Sequence, residues 1–222
     1  MKTAMTKEAA WQAPLAFGET QDEHKAKRQQ IMEGARRVFL RDGFDGASMS
    51  DVVRAAGVSK GTIYAYFPSK EKLFEGLIIQ NCSKLAEAHF ALDDNDLDVV
   101  RVLEKLGKTF LEMLLSADHI DFLRIAMAAS TKFPQLGKAY YLAGPCCGTG
   151  RLASYLRRLT EESILAVDDA DLAARQFLDL CKTEIHLRML LGDRTKPTQA
   201  EIERNLKSAI KVFLAAYGPK QP

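Results

Sequence analysis

Ser48-Met49-Ser50-Asp51-Val52-Val53-Arg54-Ala55-Ala56-Gly57-Val58-Ser59-Lys60-Gly61-Thr62-Ile63-Tyr64-Ala65-Tyr66-Phe67 writes two short capped helices joined by a tight glycine turn. Ser48, with Asp51 three residues on, is a capping box in which the hydroxyl accepts an orphan amide and the carboxylate reaches back to the cap. The first helix therefore starts at Met49. Gly57 stands where the chain must leave that helix with positive φ, a conformation that costs a residue bearing a Cβ roughly 1 kcal/mol or more. Ser59 can cap a second helix at once. On it Val58, Ile63 and Phe67 are expected to face inward, leaving Lys60, Gly61, Thr62, Tyr64 and Tyr66 on the opposite side. That side carries a cation, hydroxyls and no carboxylate. Such a surface suits a groove lined by phosphates, where Lys binds backbone, Thr and Tyr donate hydrogen bonds and Gly permits close approach. An ordinary helical hairpin with a solvated polar face would read the same way, so the flanking sequence has to decide.

Upstream, from His24 to Arg41, the apolar positions Ile31, Ala35, Val38 and Phe39 recur at helical spacing and predict a helix that covers the motif. Gly43 is expected to end it, with Phe44 following as an apolar plug. Downstream, Pro68-Ser69-Lys70-Glu71 stops one helix and caps the next. The run from Arg36-Arg37-Val38-Phe39 through Gly43-Phe44 and the motif to Tyr66-Phe67-Pro68-Ser69-Lys70-Glu71-Lys72-Leu73 resembles the amino-terminal DNA-binding domain of the TetR family of transcriptional regulators. The resemblance implies that Lys60, Gly61 and Thr62 open a recognition helix and meet base edges or adjacent phosphates. It implies backbone and groove contacts for Tyr64 and Tyr66. It makes Lys70 a phosphate clamp at the positive end of a helix dipole. Ser50 falls where many relatives place an arginine or another polar residue that reaches a base. Ala65 departs from the family, which often has a large polar or aromatic residue there; it offers a methyl surface of the kind thymine's methyl group accepts.

Composition bounds the rest. The chain has 222 residues, 47% hydrophobic and 27% charged, enough to bury a core in one or two domains. No run approaches the roughly 18 apolar residues of a membrane span. Residues 1–22 lack the apolar core of a signal peptide, so the expectation is a soluble, cytoplasmic protein without a membrane partner. The net charge of +2 is too small for bulk attraction to nucleic acid, which must come from a local patch. From Gln21 to Lys70 there are nine Lys or Arg against six Asp or Glu, with Lys25, Lys27 and Arg28 gathered at the start of the first helix. Residues 1–22, with Trp11 and Phe17 as isolated aromatics, read as a flexible tail; 23–70 read as the helix-turn-helix domain and 71–218 as an effector-binding and dimerisation domain.

Every long segment after Ser69 has helical period and no strand pattern occurs, so the fold is expected to be all-α. Leu73, Leu77, Asn81, Leu85 and Phe90 share one long helix. Further helices are expected over 97–116, 118–130, from Phe133-Pro134 onward, 151–163, 169–191 and 198–217. The three glycines and the proline between Ala143 and Gly150 should interrupt or kink the chain. The resemblance implies an effector pocket here, with Phe110, Met113, Phe122 and Tyr141 as candidate lining. It implies a dimer seam on the last two helices, with Phe177, Leu180, Leu206 and Phe213 as its candidates and Leu172, Leu187, Ile202 and Ile210 beside them. Phe133-Pro134-Gln135-Leu136-Gly137-Lys138-Ala139-Tyr140-Tyr141, followed by Ala143-Gly144-Pro145, resembles the AefR-like subgroup.

Enzymatic constellations are weak. Cys146 and Cys147 are adjacent, not spaced as a redox or zinc motif, and no His partner lies at metal spacing. Gly144 to Arg151 lacks the Gly-Lys-Ser/Thr ending of a phosphate loop. Glu184 and His186, two apart on a helix, point to different sides. No catalytic residue, metal or cofactor is therefore expected. The function expected is a homodimeric repressor that binds a palindromic operator in double-stranded DNA and is released by a small apolar or aromatic effector. A regulator without a small-molecule effector, or an all-helical enzyme or ligand carrier, are the alternatives.

Overall fold

A computed structural model describes residues 20–89 and 96–219, with the side chains of 83–89 and 145–148 outside the description. The expected tail with Trp11 and Phe17, the positions of Leu85 and Phe90 on the long helix, and the thiols of Cys146 and Cys147 therefore lie outside the described side chains. Among the described residues the chain forms ten helices and no strand: α1 (Gln21–Gly46), α2 (Met49–Ala56), α3 (Lys60–Tyr66), α4 (Lys70–His89), α5 (Val99–Leu114), α6 (Ala117–Ser130), α7 (Pro134–Ala143), α8 (Pro145–Glu161), α9 (Ala170–Leu190) and α10 (Gln199–Tyr217).

Local chemistry sets most of the boundaries. Thr20 and Glu23 cap α1 reciprocally, as Thr198 and Glu201 cap α10. Asp98 and Asp169 accept an amide at the starts of α5 and α9, and Ser69 accepts the Lys72 amide at 3.2 Å at the start of α4. Gly43 does break α1, with φ 70° and ψ −179°, but one further turn follows the break and carries Phe44 inward. Between α7 and α8 the expected interruption shrinks to Gly144 alone, and the helix resumes at Pro145, not Arg151. Proline suits the first turn of a helix, where its fixed φ is already helical and its missing N–H has no partner to lose. Thr183 inside α9, at φ 38° and ψ −140°, breaks that helix where the sequence carries no glycine or proline; Asn205 of α10 donates to its hydroxyl at 2.6 Å.

The chain packs as two compact units that cut across the linear division at residue 70. One runs to Cys82 and includes Phe122 to Ala143; the other takes Ser83 to Asp121 and the chain from Gly144 onward. In the first, Ile31, Ala35, Val38 and Phe39 of α1 share a core with Val52, Ile63, Phe67, Leu73, Phe74, Phe122 and Leu136. Phe74 is its hub, with ring centroids 4.8 Å from Phe39 and 5.3 Å from both Phe44 and Phe122. In the second unit, Leu103, Leu106 and Phe110 of α5 meet Tyr155 and Leu156 of α8, Phe177 and Cys181 of α9, and Leu206, Ile210 and Phe213 of α10. Gly107 permits this approach: a Cβ there would stand 2.3 Å from Leu206 Cδ1.

Candidate nucleic-acid interface

The two helices of the motif and the turn between them are held by their own residues. Ser48 Oγ accepts the Asp51 amide at 3.1 Å, and the Asp51 carboxylate accepts the Ser48 hydroxyl. That bond, with Arg54 beside it, holds the Asp51 carboxyl below the usual carboxylate range, so it stays ionised at the positive end of α2. Gly57 adopts φ 63° and ψ 40°, the left-handed conformation expected of it. Ser59 Oγ accepts the Thr62 amide at 3.0 Å and lies 2.7 Å from the Thr62 hydroxyl, so the second helix is capped three residues after the first ends.

Side chains of α1 complete the brace. Gln30 donates to the Ala56 carbonyl at 2.7 Å and Arg37 to the Ala55 carbonyl at 2.5 Å, satisfying the open end of α2. The helices touch at Gly34, where a Cβ would stand 2.6 Å from the Ala56 Cβ.

This frame buries Ile63 and Phe67 and half-buries Val58, as their spacing predicts, and leaves Ser50, Lys60, Gly61, Tyr64 and Ala65 exposed. Thr62 is half-buried with its hydroxyl against Ser59. Tyr66 corrects the expectation. It is only 6% exposed, and its ring stacks on His24 of α1 at 4.6 Å. Position 66 lies three residues beyond Ile63, on the same side of the helix, so its ring returns toward the core. Lys70, expected as a phosphate clamp, is half-buried, and its Nζ donates to the Phe44 and Ala47 carbonyls at 2.7 and 2.9 Å.

The candidate effector residues are divided between the units. Phe110 and Met113 lie on α5, Phe110 buried and Met113 half-buried against that unit's core. Phe122 is buried beside Phe74 in the first unit, and Tyr141 is 58% exposed. Of the candidate seam, Phe177, Leu206 and Phe213 face the chain's own core and Leu180 is partly buried against it. The outward apolar side chains on α9 and α10 are Leu172, Leu187 and Val212, with Leu191 just past α9. Sequence periodicity alone does not separate the two faces of such a helix, because both carry apolar residues. Among the described residues no group of three or more His, Cys, Asp or Glu gathers to hold a metal ion.

Two short capped helices, with a cationic and carboxylate-free outer face on the second, define a helix-turn-helix DNA-binding regulator. Residues 31–77 match the family described as bacterial regulatory proteins of the tetR family, and residues 101–219 match the C-terminal domain of AefR-like transcriptional repressors. The chain belongs to the TetR family. The repressor AcnR of Corynebacterium efficiens is 41% identical over 68 residues, which are 31% of this chain and 36% of AcnR. The chain thus spans about a third of the length of that curated relative. Among solved structures, a TetR-family regulator from Mesorhizobium loti superposes with a TM-score of 0.82 at 26% identity, covering 90% of this chain and all of that one. The flavonoid-responsive regulator FrrA superposes with a TM-score of 0.77 at 34% identity, covering 89% of this chain and all of FrrA.

Proposed function

We propose that the protein is a homodimeric cytoplasmic repressor that seats α3 in the major groove of a palindromic operator and leaves it when a small apolar or aromatic effector binds. The outer face of α3 carries the DNA-binding reading, because it presents Lys60, Gly61, Tyr64 and Ala65 to solvent on a helix pinned from behind by Ile63 and Phe67. In this reading Lys60 pairs with phosphate and Gly61 lets the helix approach the backbone. Thr62 reaches a base edge, Tyr64 donates to the backbone, and Ser50 meets the groove from α2. Two such helices on a two-fold axis read half-sites about 34–36 Å apart. The match over 101–219 to AefR-like repressors supports the sign of regulation. The likeness to FrrA over its whole length supports an aromatic effector, with Phe110 and Met113 of α5 as lining candidates.

A duplex selected from a random library by the wild-type protein, followed by fluorescence anisotropy, tests this. Lys60→Ala is expected to weaken binding by a similar factor on every operator variant. It should reduce the slope of log affinity against log salt by about 0.9 for each phosphate that is no longer neutralised. Thr62→Ala is expected to change the ranking of variants instead. An unchanged salt slope removes Lys60 from the interface, and equal loss on all variants makes Thr62 a positioning residue. A panel of flavonoids should contain a compound that weakens operator binding by the same factor by which operator weakens its binding. If none binds, the aromatic class is wrong.

A further inference from the structure

Glycine costs a helix stability relative to alanine, so a glycine within one calls for a physical reason. Gly34 meets it through close packing and Gly57, at a helix end, through its left-handed φ. Gly61 of α3 has neither. Its φ is not positive, and among the described residues a Cβ built there would meet no atom nearer than Ser59 Oγ at 3.8 Å. Nothing in the folded chain requires the side chain to be missing, and the side of α3 on which it is missing is open to solvent.

Ala65 follows Gly61 by four residues, one turn further along the same side of the helix. It is exposed, while Ile63, Tyr66 and Phe67 are buried. The ridge through Gly61 and Ala65 therefore carries a single side-chain carbon, the Ala65 methyl. Its neighbours are of another kind: Lys60 ends in an ammonium, Tyr64 is 43% exposed and ends in a phenol, and the Thr62 hydroxyl lies 2.7 Å from Ser59 Oγ. A base pair brought against this ridge comes close to the helix and meets a carbon that neither donates nor accepts a hydrogen bond. On the major-groove edges of the base pairs the apolar group is the C5-methyl of thymine, beside donors and acceptors. Methyl against methyl removes apolar surface from water, whereas a methyl over a donor or acceptor strips that group of water and gives nothing back.

We infer that Ala65 is a specificity-determining residue of α3 that selects the C5-methyl of a pyrimidine, thymine in unmodified DNA, at one position of each operator half-site. The inference rests on the DNA-binding reading above and deepens it. Ala65 supplies sequence preference through apolar contact alone, and Gly61 leaves the base pair room to reach it. A cytosine methylated at C5 presents the same group and satisfies Ala65 as thymine does.

Deoxyuridine differs from thymidine by that methyl alone, so the contact can be tested one group at a time. In the duplex selected by the wild-type full chain, each thymine is replaced in turn by deoxyuridine, in both half-sites together, and binding is read by fluorescence anisotropy. Replacement at the position facing Ala65 should weaken binding about fourfold for each half-site. At that position 5-methylcytosine should bind more tightly than cytosine by a similar factor. Indifference to uracil at every thymine would overturn the assignment, as would equal binding of cytosine and 5-methylcytosine.

Variants then assign the methyl to its residue. Each protein is compared with itself on the thymine and uracil duplexes, so a change in its overall affinity or folded fraction cancels from the ratio. In Ala65→Gly the preference for thymine over uracil at that position should disappear. In Thr62→Ser, which removes the methyl of Thr62 and keeps its hydroxyl, the preference should persist. A preference kept in Ala65→Gly and lost in Thr62→Ser would give the contact to Thr62 and overturn the inference. If Ala65→Gly does not fold, Ala65→Gln, a good helix former that exchanges the methyl for an amide, decides by the same ratio. Failure of the wild-type protein to select any duplex would sink the DNA-binding reading itself, whereas a selected duplex indifferent to uracil sinks the role of Ala65 alone.

Discussion

Gly34 and Gly57 sit within the same small motif and are glycines for different reasons. Gly57 is required by conformation, since its left-handed φ of 63° lets the chain turn from α2 to α3. Gly34 is required by space. It lies in the middle of α1 with Ala56 of α2 pressed against its Cα, so any side chain forces the helices apart. Gly34→Ala improves helix propensity, yet it is expected to destabilise the protein by about 1–3 kcal/mol through overpacking. A urea titration followed by circular dichroism checks the sign. Stability equal to or above the wild type would mean that α1 and α2 separate at no cost. At the same scale, part of the basic excess of this region is engaged within the chain: exposed Arg37 and half-buried Lys70 both donate to backbone carbonyls.

Amphipathic helices with apolar residues on two faces are the elements whose roles periodicity leaves open, and α9 and α10 are the instance here. Phe177, Leu206 and Phe213 are buried in the chain's own core, while Leu187 and Val212 remain 57% and 48% exposed. In a homodimer built on these two helices, it is the second set that meets the partner copy. Leu187→Glu and Val212→Glu are therefore expected to give folded monomers. Phe213→Glu, which buries an unpaired charge beside Phe177, is expected to unfold the chain. Sedimentation velocity together with circular dichroism separates these outcomes. Dimers persisting in both Leu187→Glu and Val212→Glu would place the interface elsewhere. The folded monomers should also bind operator far more weakly than the dimer, because two half-sites no longer act as one ligand.

For the whole molecule, two histidines of the second compact unit are expected to make stability depend on pH just below neutrality. Burial pushes His119 down to about 4, and burial aided by Lys182 and His119 does the same to His186. Near neutral pH both folded and unfolded chains hold these imidazoles uncharged. Below about pH 6.5 the unfolded chain takes up protons that the folded chain refuses until about pH 4, so stability is lost through that window as pH falls. The thermal midpoint should drop between pH 7 and pH 5. His119→Gln should flatten that slope by about one proton's worth. Carboxylates such as Glu23 and Asp193, held below their usual range by hydrogen bonds to Thr20 and Thr195, contribute only at more acid pH. A midpoint independent of pH from 7 to 5 would mean that the two imidazoles are hydrated in the folded chain.

The sequence by itself determined the all-helical class, the helix-turn-helix and the inward side of α3 apart from Tyr66, because those signals are local. A cap is settled by residues three apart, a turn by one glycine's φ, a helix by its period, and none needs a distant partner. Tertiary structure alone decided which apolar face of α9 and α10 goes inward, that Phe122 and Leu136 join the core of α1 to α4, and that Lys70 turns to carbonyls 23 and 26 residues away. Each of those choices is a competition among surfaces far apart in the chain. Its outcome depends on what arrives to cover a side chain, and residue spacing does not record that.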